Sequence, residues 1–186
     1  MVKNKLLIMS GCPGSGKSTY AKKYLSSAKY VSRDEIRFSI VSENEKYFSK
    51  ENEVFKKFIK EINDGLREHV DVVADATHLN KQSRYKLFRN LNINKENTQI
   101  ELFCMHVPLE TCLERNEKRR GTRSYVPENA LKRMHSSYQL PYGDEGILYD
   151  TEYIVSPYGE EGVVEYIYKR KDKTNGLFYV GCSYRT

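Results

Sequence analysis

The sequence predicts an α/β fold: a parallel sheet flanked by helices, with a C-terminal β-hairpin extension. Three observations predict it. Short apolar runs alternate with segments whose apolar residues recur every three or four positions, the pattern of strands and covering helices. A glycine-rich stretch, GCPGSGKST at 11–19, follows the first apolar run directly. The region 138–186 differs in character, holding nine of the fifteen tyrosines and a turn signal at Asn175-Gly176 between the runs VVEYIY and LFYVGC.

Taken in order, residues 5–10 form a short apolar run that suits a buried parallel strand. A helix is expected at 17–26, with Tyr20, Ala21 and Tyr24 on one face. KYVS (29–32) is a second short strand, and RDEIRFSI (33–40) a helix opening at once behind it. At 50–68, Val54, Phe55, Phe58, Ile59, Ile62 and Leu66 mark an amphipathic helix. VDVVA (70–74) is a strand ending in Asp75, and 80–91 is a helix. A strand over 99–107 precedes Pro108, which suits the first turn of the next helix. Pro127 can open another helix to about 137, and EYIV (152–155) is the last strand of the main sheet.

Composition excludes some classes. Among 186 residues, no apolar run approaches the length of a membrane span, and the N-terminus lacks a small-residue cleavage site. The net charge of +6 permits a nucleic-acid partner without requiring one. Cys12, Cys104, Cys112 and Cys182 form no C-x-x-C pair, so a zinc or redox site is not expected; they read as reduced thiols in a cytosol.

Gly11, Gly16, Lys17 and Ser18 satisfy G-x-x-x-x-G-K-[ST]. Such a loop wraps phosphate oxygens with backbone N–H groups, which side chains would obstruct. The lysine reaches the β- and γ-phosphates and the serine ligates Mg²⁺. With a strand before it and a helix after it, the motif predicts a P-loop NTPase-type sheet. No N-K-x-D guanine reader is present, since NKQS (80–83) and NKEN (94–97) lack the aspartate. Asp75 is followed by Ala76, not by the second acid usual in motor ATPases. Both absences favour a small kinase.

Asp34 stands where the second strand gives way to a helix, and Arg37 lies three residues on, about 4.5 Å along the axis on the same side. A carboxylate there could take the proton of an attacking hydroxyl, with the arginine holding a nearby phosphate. The other reading is an acidic first turn with an intrahelical Arg33–Asp34–Arg37 cluster. RNEKRRGTR (115–123) has five basic residues out of nine around Gly121. It reads as a cationic flap over the nucleotide, the alternative being a solvated basic face.

The series GCPGSGKST, SRDEIRFSI and LERNEKRRGTRSYVP resembles the kinase domain of phage-type polynucleotide 5′-kinases over about residues 4–140. The resemblance implies ATP and Mg²⁺ as cofactors. Gly11, Pro13, Gly14, Ser15, Gly16, Lys17, Ser18 and Thr19 would bind the ATP phosphates, with Ser18 and Asp75 on the metal. Asp34 matches the general base, Arg37 the arginine that binds the acceptor's 3′-phosphate, Arg120 the lid arginine, and Arg115 a second basic lid position. Val126 and Pro127 match an apolar pair that packs on the terminal base. The segment ADATHLN (74–80) matches the stretch after strand three. There Asp75 and Thr77 position metal-bound water or the acceptor, although Asp75 also fits a turn cap; His78 reads as structural. The lid departs from the pattern by one extra residue before Gly121, so Arg119 competes with Arg120, and GTRSYVP is longer too.

Residues 1–156 are thus expected to form a P-loop kinase domain with a lid at about 115–127, and 157–186 a tyrosine-rich hairpin extending it. No D-x-D-G-[TV] phosphatase signature occurs, so kinase activity alone is expected. The resemblance implies transfer of the γ-phosphate of ATP to the 5′-hydroxyl of a single-stranded or end-exposed DNA or RNA. It implies a cytoplasmic location, the host's if phage-encoded, and no membrane partner. Two alternatives stay open: a kinase for another hydroxyl (nucleoside, sugar, aminoacyl-tRNA or hydroxylated base), and an ATP-binding partner subunit without kinase activity. The hairpin tyrosines read as packing residues completing the sheet, with assembly or single-strand stacking as alternatives.

Overall fold

The first strand, β1 (Asn4–Ser10), is apolar on both sides: Leu6, Leu7, Ile8 and Met9 are all buried. That pattern fits only a central strand covered on both faces. In the computed structural model, which describes residues 3–141, 145, 148–156, 164–171 and 178–185, β1 lies between β3 (Val72–Asp75) and β4 (Thr98–Met105). β2 (Lys29–Ser32) lies outside β3, and β5 (Thr151–Ser156) outside β4; these five strands are parallel. β6 (Val164–Lys171) and β7 (Phe178–Arg185) continue the sheet antiparallel, giving the order β2-β3-β1-β4-β5-β6-β7. The expected hairpin is therefore present; its Asn175-Gly176 turn and its tyrosine side chains fall outside what the structure describes.

Strand alternation sends neighbours to opposite faces. Leu6 and Ile8 join the larger core, with Val54, Phe58, Ile62 and Leu66 of the helix at Glu51–Arg67 and Leu87 of the helix at Lys81–Arg89. Leu7 and Met9 face the helix at Lys17–Tyr24, packing on Tyr20 and Ala21. In chain order the helices are α1 (Lys17–Tyr24), α2 (Arg33–Ile40), α3 (Glu51–Arg67), α4 (Lys81–Arg89), α5 (Leu109–Glu117) and α6 (Glu128–Ser136).

The differences from expectation are local. Phe55 lies outside the main core, with the Arg33 guanidinium and the Lys86 ammonium over its ring. β3 begins at Val72 because Val70 is exposed and Asp71 faces the edge of β1, its carboxylate accepting from the Lys5 N–H at 2.7 Å. β4 ends at Met105; His106 turns outward while Val107 enters a third small core. Pro108 and Pro127 stand one position earlier than expected, as N-caps with extended ψ of 149° and 137°.

One feature gave no sequence signal. Arg84, on α4, is fully buried and paired with the buried Glu145 through Nε and, at 3.0 Å, Nη2. Tyr149 Oη donates to Glu145 at 2.9 Å, and Arg84 Nη1 donates to the carbonyls of His78 and Gln139. A buried pair survives only when its remaining hydrogen-bonding capacity is met, as it is here. The network ties Gln139, Glu145 and Tyr149 to the segment that follows β3.

Arg84→Met should lower stability by about 3–5 kcal/mol, because Glu145 is left buried and unpaired. Arg84→Met/Glu145→Leu should recover most of that loss. Urea unfolding of both variants checks this; a single variant costing under about 1 kcal/mol would mean that the pair is not buried in solution.

Candidate active site

The carboxyl ends of β1, β2 and β3 converge on the turn between β1 and α1. Gly11 N–H donates to the Thr77 carbonyl at 2.9 Å, and Ser15 N–H to the Cys12 carbonyl at 3.1 Å, which folds the loop back on itself. Gly14 and Gly16 have φ of 81° and 91°, a region that favours glycine. A Cβ on Gly14 would lie 2.5 Å from the Cys112 carbonyl oxygen, so the loop packs directly on the α5 backbone. Gly16 caps α1 without a side-chain bond, leaving the first-turn N–H groups open to an anion. Pro13 is half-buried in the turn, and Ser18 and Thr19 are exposed on the first turn of α1.

Lys17 is buried, and its ammonium donates to the Cys12 carbonyl at 3.0 Å. Burial pushes its pKa down, opposed by the charges of Asp75 and Asp34 and reinforced by Arg119. The Ser15 hydroxyl is buried without a partner. A buried cation, an orphan hydroxyl and free helix N–H groups around one turn form a cradle that a polyphosphate completes.

Asp75 lies within hydrogen-bond reach of the phosphate-loop helix and does not serve as a turn cap. It ends β3, in register with Met9 of β1 and Ser32 of β2, and it is buried. Ser18 Oγ donates to its Oδ2 at 2.6 Å, and Tyr30 Oη donates to the same oxygen. Burial and the Asp75 charge push the Tyr30 phenol upward, so it stays a donor. A hydroxyl and a carboxylate are hard oxygen donors, the set that binds Mg²⁺ together with nucleotide phosphates. Ser18 and Asp75 thus fit that ion. Among the described residues no group of three His, Cys, Asp or Glu side chains could hold a metal without such help.

Asp34 is exposed, 63% of its side chain being open to solvent, at the N-terminus of α2. Its Oδ1 accepts from Arg37 Nη1 and, at 2.9 Å, from Tyr47 Oη. Arg37 is buried, and its Nη2 donates to both Glu51 oxygens at 2.9 and 3.2 Å. Arg33 pairs with the same carboxylate. Of the intrahelical Arg33–Asp34–Arg37 cluster, only the Asp34–Arg37 pair forms within α2; Arg33 turns to Glu51 of α3. Tyr47, Phe48 and Glu51 escaped the sequence reading. Their one signal was a pair of adjacent aromatics in the polar stretch SENEKYFSK.

The basic flap divides its arginines. Arg115 Nη1 reaches the Gly14 carbonyl at 3.4 Å. Arg119 is half-buried, and its charge adds to the burial that lowers the Lys17 pKa. Arg120, the expected lid arginine, is exposed, paired with Glu117 and stacked over Tyr125. In this structure Arg120 thus turns to Glu117, Tyr125 and solvent, while Arg119 is the less exposed of the two. Asn116 clamps the flap's neck: Nδ2 donates to the Val126 carbonyl at 2.7 Å and Oδ1 accepts the Val126 N–H at 3.0 Å. Val126 packs on the third core, with Cys12, Val107, Cys112 and Leu131, which leaves less of it for a base than expected; Pro127 is exposed. Arg123 donates to the carbonyls of Phe38 and Val41, at 3.3 and 2.6 Å, fastening the flap to the end of α2.

Thr77 is half-buried, and its carbonyl serves the loop as described. His78 is structural: buried at φ 38°, it donates from Nδ1 to the Met9 carbonyl at 2.8 Å, while Ser10 Oγ donates to its carbonyl. Burial, with Arg33, Arg84 and Lys17 nearby, lowers its pKa to about 4, so it is neutral at pH 7. Cys12, Cys104 and Cys112 are free, buried thiols.

A family model described as an AAA domain matches residues 6–141. A protein of Autographa californica nuclear polyhedrosis virus, provisionally named a bifunctional polynucleotide kinase/RNA ligase, is 29% identical over 161 residues, or 76% of this chain. A chain in the Pnkp1/Rnl/Hen1 RNA repair complex superposes with a TM-score of 0.62 at 25% identity over 74% of this chain. The present chain spans 23% of the viral protein and 44% of the repair-complex chain. A gluconokinase from Sinorhizobium meliloti shares the fold at a TM-score of 0.53 and 18% identity, over 86% of each chain.

Gly14→Ala should destabilise the protein by about 1–3 kcal/mol, from positive φ and the Cys112 contact together, and weaken nucleotide binding. Thermal unfolding with and without ATP measures both. His78 should add a pH dependence. Its folded pKa of about 4 lies below the ordinary 6.5, so its stabilisation is complete above pH 6.5 and is lost as pH falls toward 4. The loss attributable to it is about 3 kcal/mol. Urea midpoints of His78→Asn, a residue that tolerates the same backbone, should fall less over that interval.

Proposed function

Because the chain belongs to the AAA domain family of P-loop proteins, we propose that it is an ATP-dependent kinase acting on the 5′-hydroxyl of a polynucleotide. One observation carries the reading: an exposed carboxylate, Asp34, is held by Arg37 and Tyr47 just past the carboxyl end of β2, next to the strand whose Asp75 bonds Ser18 of the phosphate-loop helix. Motors and switches need no such group on the acceptor side. The viral relative, provisionally named a polynucleotide kinase/RNA ligase, and the similar chain of an RNA repair complex support a nucleic-acid acceptor.

In this reading Asp34 Oδ1 is engaged by Arg37 and Tyr47, and Oδ2 takes the proton of the 5′-hydroxyl. The oxygen attacks the γ-phosphorus in line as the bond to the bridging oxygen of ADP breaks. Lys17, the loop N–H groups and the flap cations Arg115 and Arg119 neutralise the transferring group and the leaving diphosphate. Arg120 joins them if the flap rotates toward the nucleotide. Mg²⁺ held by Ser18 and Asp75 would supply further positive charge at the phosphates.

A second reading, a kinase for a small-molecule alcohol, draws on Arg37. Both its Nη atoms already serve carboxylates, so an acceptor phosphate must displace one of them. The two readings separate on acceptor chemistry. With γ-labelled ATP and Mg²⁺, label should enter a short 5′-hydroxyl strand and not the same strand already 5′-phosphorylated. Asp34→Asn should lower the rate about 10²–10⁴-fold. Label entering only nucleosides or sugars, or an Arg37→Ala variant with an unchanged KM for a 3′-phosphorylated acceptor, favours the second reading.

A further inference from the structure

Among the described residues, three large apolar side chains are exposed: Tyr47, Phe48 and Val70. Two of them are adjacent, and both adjoin the Asp34–Arg37 pair. Phe48 keeps 69% of its surface in water. A single exposed aromatic needs no explanation, but these belong to a built array. Phe38, Tyr47 and Phe48 form a chain of edge-on rings, with centroids 6.3 and 4.7 Å apart. The Arg37 guanidinium lies over both Tyr47 and Phe48, at 4.6 and 5.5 Å, and Arg123 lies over Phe38 at 4.7 Å. The Arg37 Nε is buried without a partner. Lys46 is exposed beside Tyr47.

The array is fixed relative to the candidate base. Tyr47 Oη donates to Asp34 Oδ1 and accepts from Arg37 Nη1, each at 2.9 Å. The tyrosine therefore cannot shift without releasing the carboxylate. It carries Phe48 with it as the next residue in the chain. A ligand for this surface presents a flat π face to Phe48 and a negative group to the neighbouring cations. A nucleotide has both.

We propose that Tyr47 and Phe48 form a stacking platform for a nucleobase of a single-stranded nucleic acid, beside the Asp34 carboxylate. The proposal rests on the polynucleotide reading above for the identity of that strand as acceptor. It assigns a role to the loop between α2 and α3 and makes base stacking, not base-edge hydrogen bonding, the source of acceptor affinity there. Stacking of this kind tolerates sequence because every base has a π face.

The test is direct binding, which does not depend on turnover. A 3′-fluorescein-labelled 5′-hydroxyl strand and the same strand with abasic residues at its first three positions are titrated with the full chain by anisotropy. The wild-type protein should bind the intact strand more tightly. Phe48→Ala should weaken that binding about 5- to 150-fold, the range for one base–aromatic stack, and abolish the contrast with the abasic strand. Phe48→Tyr should restore it. Equal wild-type affinity for the two strands, or a Phe48→Ala variant that binds the intact strand like wild type, overturns the platform. So does a variant that keeps strand binding and loses self-association in sedimentation, which would make Phe48 a contact between copies. Binding with the expected contrast but no label transfer would sustain the platform and sink the kinase reading, so the two fail separately.

Discussion

A lysine ammonium withdrawn from water with one carbonyl for company is an unfavourable arrangement, and the rest of the structure is organised around Lys17 being in it. Burial of a cation costs several kcal/mol unless an opposite charge meets it. Here Asp75 and Asp34 supply partial relief, while Arg119 adds to the strain. The balance leaves a demand for anionic charge at one point on the carboxyl edge of the sheet. An incoming phosphate satisfies that demand, and the loop offers it N–H groups in place of side chains.

The features that hold Lys17 there are mostly remote from it. The loop sits on the α5 backbone at Gly14, and its first residue is bound to Thr77. That segment is fixed in turn by His78, whose ring bonds β1 and whose carbonyl takes Arg84. Arg84 answers to Glu145 and Tyr149, far along the chain. A line of buried polar contacts therefore runs from Glu145 and Tyr149 through Arg84 and His78 to the phosphate loop.

Much of this was legible in the sequence, for reasons that differ by element. β1 and α3 show their burial in strict apolar patterning. The phosphate loop shows itself because glycine spacing is dictated by the close approach of backbone to oxygen. Ser18 and Asp75 were both named, and register between β1 and β3 brings them together. The Arg84–Glu145 pair was invisible because two charged residues 61 positions apart look like surface residues until the fold brings them together. Arg119 and Arg120 lie in the turn after α5, where no helical period tells which side chain points inward. Tyr47 and Phe48 lay in a polar stretch with no period to read.

Arg123 gives the flap an unusual anchorage. The last carbonyls of a helix must find donors, and those at the end of α2 find the Arg123 guanidinium instead of water alone. The helix that carries Asp34 is thus finished off by a side chain from the same basic segment whose Arg115 reaches the Gly14 carbonyl. Lifting the flap unseals that helix end, and a fraying helix loosens the flap. One guanidinium thus holds together two segments far apart in sequence, and a displacement of either is felt at the other.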